Sequence, residues 1–236
     1  MLNKILVIYQ KEMISYFKSP IAYFLLSVFL IGTGYFFLYN IFMTGTAEMD
    51  TTLQNMGILF IVLAPVLTMR IFSNEYSTKT IEILLTLPIS VFEIVIGKFF
   101  AIYSLFLIMT FASMINLIPM FLYGNPDVKN IISGYLGFIL LGLAAISMGQ
   151  FFSSLTKNQI IAALMTFVTL LGVWMIEHIQ IFQNEYFLKE LVGILSFSNK
   201  YGDFITGLIR TDSIFFFIIT SIIFLNLNVF VLRWSR

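Results

Sequence analysis

The chain has no cysteine, one histidine and few charged residues. Its 236 residues include 13 Lys and Arg and 12 Asp and Glu, or 11% charged, against about 25% in an average soluble protein. The absence of cysteine excludes disulfides, thiolate metal sites and a cysteine nucleophile. The formal net charge of +1 excludes a strongly basic nucleic-acid-binding protein, so no nucleic-acid partner is predicted.

The sequence contains long stretches without charged residues. Apolar residues make up 59% of the chain and the mean hydropathy is +0.97, so part of the apolar surface must face lipid. Six stretches of 19 to 29 residues lie between consecutive charges, and about 20 residues of helix cross a bilayer. We therefore predict an all-α polytopic membrane protein with six transmembrane helices, at residues 20–39, 56–69, 99–122, 131–152, 159–176 and 213–232.

Helices are predicted rather than barrel strands because the stretches are continuously apolar, whereas barrel strands alternate. Six spans place both termini on one side of the membrane. That side carries nine basic and four acidic residues, and the opposite side carries four basic and eight acidic ones. The positive-inside rule therefore predicts that both termini are cytoplasmic.

Residues 1–18 are predicted to form an amphipathic helix that does not span. At 100° per residue, one 120° arc is apolar, and Lys4, Lys11 and Lys18 lie opposite it. The apolar arc contains Leu2, Ile5, Leu6, Tyr9, Met13, Tyr16 and Phe17. This pattern is typical of a helix lying in the membrane interface with its lysines toward anionic headgroups. The alternative is a helix that packs on another part of the protein.

The predicted cytoplasmic segment 70–98 mixes acids and bases with an apolar stripe. We predict a short amphipathic helix from about Thr78 to Leu87, ended by Pro88, and a helix start at Ser90 with Glu93 three residues later. The stripe consists of Ile81, Leu84, Leu85 and Pro88. Helix connections usually take about 2 to 8 residues, so this segment is either an oversized solvated connector or a protein-docking surface.

The predicted outer segment 177–212 is too polar to span and too apolar to be a linker. We expect one or two helices folded back onto the outer membrane face, either gating an exit route or serving only as a packed lid. In the fourth span, Ser133 with Gly137 and Ala145 with Gly149 have the four-residue spacing of close helix packing, within the chain or across a dimer. Asn116, Gln150, Asn226 and Asn228 either line a route or hydrogen-bond between helices.

Motifs for catalysis and nucleotide binding are missing from the sequence. There is no HExxH or Gly-x-Ser-x-Gly pattern. Gly97-Lys98 is not a phosphate-binding loop, because Phe92 stands where its first glycine belongs and Phe99 follows the lysine. None of the six span cores carries a titratable residue, as an ion-coupled carrier usually does. No catalytic, metal-binding or cofactor-binding residue is predicted, and energy for transport would come from outside this chain.

The cytoplasmic segment is similar to that of the permease subunits of ABC-2 type ABC transporters, particularly the gliding-motility and copper-enzyme-maturation branch. Ser19 to Tyr23 at the first span also resembles the gliding-type branch. The chain departs from the family pattern at Lys79, where the family usually has glycine. The matching residues are Arg70, Phe72, Glu75, Thr80, Glu82, Leu84, Leu85, Pro88, Ser90, Gly97 and Lys98.

The resemblance implies a permease that works as a homodimer or with a related permease, bound by two copies of a separate ATPase that hold ATP and magnesium. The ATPases would dock on residues 72–92, and the permease would export an unidentified substrate by alternating access. The implied location is the inner membrane of a prokaryote, in contact with its lipid. The implied coupling residues are Phe72, Glu75, Lys79, Thr80, Glu82, Leu84, Leu85 and Pro88.

Two other functions stay open at this point. One is a membrane anchor or assembly component of a motility or maturation complex that moves no cargo. The other is a small polytopic membrane enzyme, which the sequence favours least because no cluster of catalytic acids, His or Ser lies at a common membrane depth.

Overall fold

The computed structural model describes residues 2–44, 49–86, 88–123, 126–178, 193 and 195–234. Over these ranges the chain is helical and contains no strand. Its α-helices are α1 (Leu2–Lys18), α2 (Pro20–Thr44), α3 (Met49–Thr68), α4 (Ser73–Ser77), α5 (Thr80–Thr86), α6 (Val91–Ser113), α7 (Leu117–Tyr123), α8 (Val128–Leu155), α9 (Gln159–Met175), α10 (Phe197–Ile205) and α11 (Thr211–Trp234). The predicted class, an all-α polytopic membrane protein, is confirmed.

Within the described residues, five helical segments are long and apolar enough to cross a membrane. They are Pro20–Met43, Met49–Ser77, Val91–Leu122, Val128–Leu155 and Thr211–Trp234. The remaining predicted span coincides with α9, which has 17 residues and measures about 26 Å at 1.5 Å per residue. A count of six spans therefore stays a prediction.

Two helices begin well before the apolar stretches that predicted them. α3 starts at Met49 rather than Met56, and Thr52 and Leu53 on its first turns are fully buried. α6 starts at Val91 rather than Phe99. In both helices one side of the extra turns is covered by protein, and that side does not need the continuous apolar sequence that lipid contact demands.

A cluster of aromatic rings forms the centre of the bundle. Phe60 lies 4.4 Å from Phe106 and 5.6 Å from Phe138 between ring centroids, and Phe29 lies 5.9 Å from Phe138. All four side chains are fully buried. Because they come from α2, α3, α6 and α8, they join four helices in one core, and such ring pairs stabilise beyond the area they bury.

The small residues of α8 pack within the chain. A Cβ on Gly137 would lie 2.5 Å from Cβ of Phe204 on α10, and a Cβ on Gly149 would lie 2.1 Å from Oγ1 of Thr68 on α3. Glycine at these two positions lets the neighbouring helices approach closely. Of the two alternatives that the sequence left open for these glycines, the structure shows packing inside one chain.

The described part of the outer segment is a helix inserted into the bundle. Tyr201 of α10 is fully buried, and its hydroxyl donates to the carbonyl of Leu53 on α3 at 2.7 Å. Lys200 pairs with Asp212 at 2.8 Å, next to the start of α11. Residues 179–192 and 194, where further outer helices were expected, lie outside the described residues.

Two of the polar residues singled out in the spans bond to backbone carbonyls. Gln150 on α8 donates to the carbonyl of Val95 on α6 at 2.9 Å, which is a bond between helices. Asn226 donates to Ile222 on its own helix at 2.8 Å. Asn228 is fully buried, and its amide has no partner among the described residues.

Candidate functional site between the second and third spans

The turn that leaves α3 is fixed to α8 by one serine. Ser153 on α8 is fully buried, and its hydroxyl accepts hydrogen bonds from the backbone N–H groups of Phe72 at 3.1 Å and Ser73 at 3.2 Å. The same hydroxyl donates to the carbonyl of Met69 at 2.9 Å. Two acceptances and one donation use the full capacity of a hydroxyl, so this turn is held rigidly.

Gln159, the first residue of α9, holds the same segment from a second side. Its amide nitrogen donates to the side-chain oxygen of Asn74 at 3.1 Å. Its amide oxygen accepts from Nε of Arg70 at 3.1 Å. α4 is therefore tied to both α8 and α9.

Lys98 on α6 is the buried cation of the site. Its Nζ donates to Oε1 of Glu75 at 2.8 Å, to Oε1 of Glu12 at 2.9 Å and to the carbonyl of Ile71 at 3.1 Å. An ammonium has three donors, and all three are used. The side chain of Lys98 is 3% exposed and each glutamate side chain is 13% exposed. Water therefore solvates these charges poorly, and the pairing must compensate.

The Lys98 cluster, meaning Lys98, Glu12 and Glu75, connects three helices. Glu12 belongs to α1, Glu75 to α4 and Lys98 to α6. Gly97 brings α1 close, since a Cβ at Gly97 would lie 2.9 Å from the side chain of Ile8. The Gly97-Lys98 pair thus has a packing role and an ion-pairing role in joining the amphipathic helix, the segment 70–98 and the third span.

Lys79 adopts a left-handed backbone conformation with φ of 59°, the one positive φ at a non-glycine position among the described residues. It separates α4 from α5. The single helix predicted from about Thr78 to Leu87 is therefore wrong at its beginning, because a left-handed residue interrupts the helical hydrogen bonds. This is the position where the resembled family usually has glycine, the residue that adopts the conformation without a steric penalty.

The helix α5 lies on the surface, with one side against the bundle. Ile81 is buried and Leu84 is half-buried against the core, whereas Glu82 is exposed. Pro88 follows the helix, as predicted, and is exposed. The amphipathic character expected of this helix is therefore seen at its described side chains.

The eight predicted coupling residues differ in their exposure. Phe72 is fully buried beside Lys98, and Glu75 is engaged with Lys98, so both face the protein interior. The side chain of Leu85 lies outside the described residues, and Leu84 is half-buried. The exposed residues are Lys79, Thr80, Glu82 and Pro88.

The segment ends at a capping box, as predicted. The N–H of Glu93 donates to Oγ of Ser90 at 3.2 Å, and the N–H of Ser90 donates to Oε2 of Glu93 at 2.9 Å. Lys4 of α1 donates to the carbonyl of Pro88 at 2.5 Å. α1 therefore contacts the segment at both ends, through the Lys98 cluster and through Pro88.

The helix α1 has a protein-facing side and an exposed apolar side. Ile8 is buried against α6, and the lysine row is exposed. Between the two lie four exposed apolar residues, Leu6, Val7, Ile14 and Phe17. The two interpretations of this helix are therefore compatible, because it packs on α6 and still presents apolar surface beside its lysines, as an interfacial helix does.

Glu12 is the member of the cluster that sequence reasoning did not select. Its only signal was that Lys11 and Glu12 interrupt the apolar residues of the amphipathic helix. Its partner Lys98 stands 86 positions away, and no spacing rule connects the two.

The chain is similar to a known protein family. A family profile described as "ABC-2 family transporter protein" matches residues 39–231, which include the segment 70–98 and leave out α1 and most of α2. The chain belongs to this family. It is accordingly a membrane-embedded permease of the ABC transporter class, and its multi-pass helices fit that assignment. A search of curated proteins found no match.

Proposed function

We propose that this ABC-2 family permease is the transmembrane subunit of an ATP-driven exporter that is powered by a separate ATPase. The observation that carries the proposal is the exposed helix α5, held between the Lys98 cluster and the capping box at Ser90. A surface helix with fixed ends is suited to receive a push from a partner and to pass it into the bundle. The chain itself supplies the path, and two ATPase copies supply ATP and magnesium.

The docking surface of this proposal consists of Lys79, Thr80, Glu82 and Pro88. These residues are exposed, carry both signs of charge and stand next to the buried Ile81. We assign Phe72 and Glu75 a positioning role instead, because their side chains are already occupied inside the protein.

Motion of α5 would be transmitted through α4 to two of the spans, α3 and α6. Ser153 and Gln159 hold α4 against α8 and α9, and Glu75 connects it to Lys98 on α6. Because α3 runs into α4 with only a short turn between them, displacement of the segment tilts α3 and α6 together. Packed elements of this kind move as rigid bodies, and such a tilt in two permease copies would open their interface outward.

The proposed orientation places both termini in the cytoplasm of a prokaryotic cell, with the permease in the inner membrane. It is supported by the excess of basic residues on the side of the termini. The docking surface lies on that same side, where cytoplasmic ATPases would reach it.

The test is charge reversal on the docking surface. The tagged chain is purified from its native membrane, and the copurifying ATPase is identified by mass spectrometry. Glu82→Arg should leave the amount of inserted permease unchanged and abolish stimulation of ATP hydrolysis by the permease. Glu48→Arg, predicted on the opposite side of the membrane, is the matched control and should keep the stimulation.

Full stimulation of ATP hydrolysis by the Glu82→Arg variant would exclude the proposal that α5 transmits motion from the ATPase to the bundle. An ATPase that copurifies without any measurable cargo movement would instead favour the alternative of a membrane anchor in a motility or maturation complex.

A further inference from the structure

A cleft of about 530 Å³ opens beneath α1, on the side of the termini. It lies between α1, the first turns of α2, the end of α3 and the cytoplasmic segment. Volumes of this size are typical of small-molecule sites. The cleft adjoins Ser19, where α1 ends and α2 begins, and the predicted interfacial position of α1 would put it at the depth of lipid headgroups.

The walls of the cleft differ in polarity. Leu25, Leu67 and Leu105 line the side toward the bundle. Lys11 and Arg70 line the side toward water, together with Ser15, Ser19 and Asn74. An occupant must therefore be apolar at one end and polar at the other, which is the chemistry of a membrane lipid.

Two cations stand at the polar side of the cleft. The side chain of Lys11 is 65% exposed. Arg70 is exposed and donates to Gln159 through Nε. That bond does not use the two terminal nitrogens of its guanidinium. Paired guanidinium donors match the oxygens of a phosphate group.

Glu75 lines the same cleft, and one of its carboxylate oxygens lacks a donor. Oε2 of Glu75 is buried and has no hydrogen-bond partner among the described residues. Lys98 cannot supply one, because its three donors go to Glu12, to Oε1 of Glu75 and to Ile71. A buried carboxylate oxygen without a donor is costly, so a ligand with an N–H group is favoured there.

We propose that this cleft binds one glycerophospholipid whose headgroup carries both a phosphodiester and a primary amine. The phosphate would contact Arg70 and Lys11, the ammonium would donate to Glu75, and the apolar part next to the headgroup would contact Leu25 and Leu67. The site is separate from the exported substrate and does not depend on the proposed direction of transport.

Tyr16 adds a neutral hydroxyl to this site. It lines the cleft, and burial, reinforced by the carboxylates of Glu12 and Glu75, raises its pKa well above the usual value. The hydroxyl therefore stays protonated and can donate to a phosphate oxygen without adding negative charge.

The lipid would also contact the edge of the docking surface. Thr78, Thr80 and Leu84 line the cleft, and Thr80 belongs to that surface. A bound lipid therefore fills the space between α1 and the beginning of α5.

The binding test uses the delipidated full-length chain in detergent and native mass spectrometry. The titrants are dioleoyl-phosphatidylethanolamine, the phosphatidylcholine and phosphatidylglycerol with the same acyl chains, and soluble glycerophosphoethanolamine. We expect one phosphatidylethanolamine per chain, bound at least about tenfold more tightly than phosphatidylcholine, whose quaternary ammonium has no N–H donor. Equal affinity for these two lipids would overturn the proposal, as would phosphatidylglycerol binding as tightly as phosphatidylethanolamine. Soluble headgroup binding as tightly as the lipid would show a phosphate site rather than a lipid site.

Variants locate the site within the protein. Arg70→Gln and Lys11→Gln should each weaken phosphatidylethanolamine binding about tenfold, an effect of the size expected when one charge-assisted contact is lost. Lys129→Gln, which removes an exposed cation far along the chain, should bind as the unchanged protein does. If Arg70→Gln unfolds in a thermal scan, the affinity of the Lys11→Gln variant alone tests the headgroup position. Unchanged affinity in Lys11→Gln and in any folded Arg70→Gln would refute the proposed headgroup position.

Discussion

Lys98 and Glu12 form a buried ion pair of 2.9 Å between α6 and α1, although 86 positions separate them in the sequence. Glu75 on α4 shares the same ammonium at 2.8 Å. Lys98 therefore fixes the amphipathic helix and the segment 70–98 to the third span at a single point.

Replacing Lys98 by methionine should destabilise the protein by about 3–5 kcal/mol. The substitution keeps an unbranched side chain only one atom shorter but leaves two carboxylates poorly solvated and without their cation, and breaking a buried pair has costs of this size. Thermal unfolding in detergent measures the effect. Lys129→Met, at an exposed lysine, should change stability by less than about 0.5 kcal/mol. Equal stability of the two variants would show that the Lys98 cluster does not hold the three helices together.

Replacing Lys79 by glycine should stabilise the protein by up to about 1 kcal/mol. Lys79 has a φ of 59°, and a left-handed conformation costs a residue with a Cβ roughly 1–2 kcal/mol, of which part is offset by the backbone entropy of glycine. Lys79→Ala is the control, because it removes the charge and retains the strained Cβ. A gain in melting temperature that is the same for both variants would attribute the effect to charge rather than to backbone conformation.

Replacing Tyr201 by phenylalanine should destabilise the protein by about 0.5–1.5 kcal/mol. The change removes the hydroxyl that donates to the carbonyl of Leu53 at 2.7 Å and leaves the ring in place, so the loss is that of one buried hydrogen bond. Tyr35→Phe, at a residue that is 61% exposed, is the matched control and should be neutral. Hydrogen exchange of α10 gives a second measurement. Protection equal to that of the unchanged chain would show that the bond from Tyr201 to Leu53 does not hold α10 in place.

Replacing Gly149 by alanine should destabilise the protein by about 1–3 kcal/mol, the usual range for an overpacked contact. The new Cβ would stand 2.1 Å from Oγ1 of Thr68, so α8 and α3 would have to separate. Gly172→Ala is the control, because a Cβ there meets nothing within 4 Å and alanine favours the helix. If the two substitutions behave alike, the close approach of α3 and α8 is not what requires glycine.

The helices of the bundle could be predicted because lipid contact leaves a direct trace in sequence. Each predicted span overlaps a helix, and the start of α6 is marked by the capping box of Ser90 and Glu93. The early start of α3 could not be predicted. Thr52 is buried by protein there, and contact with protein does not demand an apolar run.

The candidate site could be predicted only in part. The family resemblance selected Glu75 and Lys98 without showing that they bond to each other, and Glu12 was missed because its contact is purely tertiary. Lys79 was noticed as a departure from glycine, yet its left-handed backbone was not inferred from that. Glu82 is exposed and Glu75 is partly buried. This difference depends on how α4 and α5 pack, so it could not be predicted from the sequence.

Single-cysteine cross-linking tests the central claim most directly, because the chain has no cysteine of its own. Glu82→Cys is labelled with a thiol-reactive photocross-linker in native membranes and irradiated, and products are identified by mass spectrometry. Ile209→Cys, an exposed position just before α11, is the control on the predicted outer side. If an ATPase docks on α5, a cross-link forms between the cysteine at position 82 and the ATPase, and none forms from position 209. No ATPase product from position 82, or equal amounts from both positions, would contradict it.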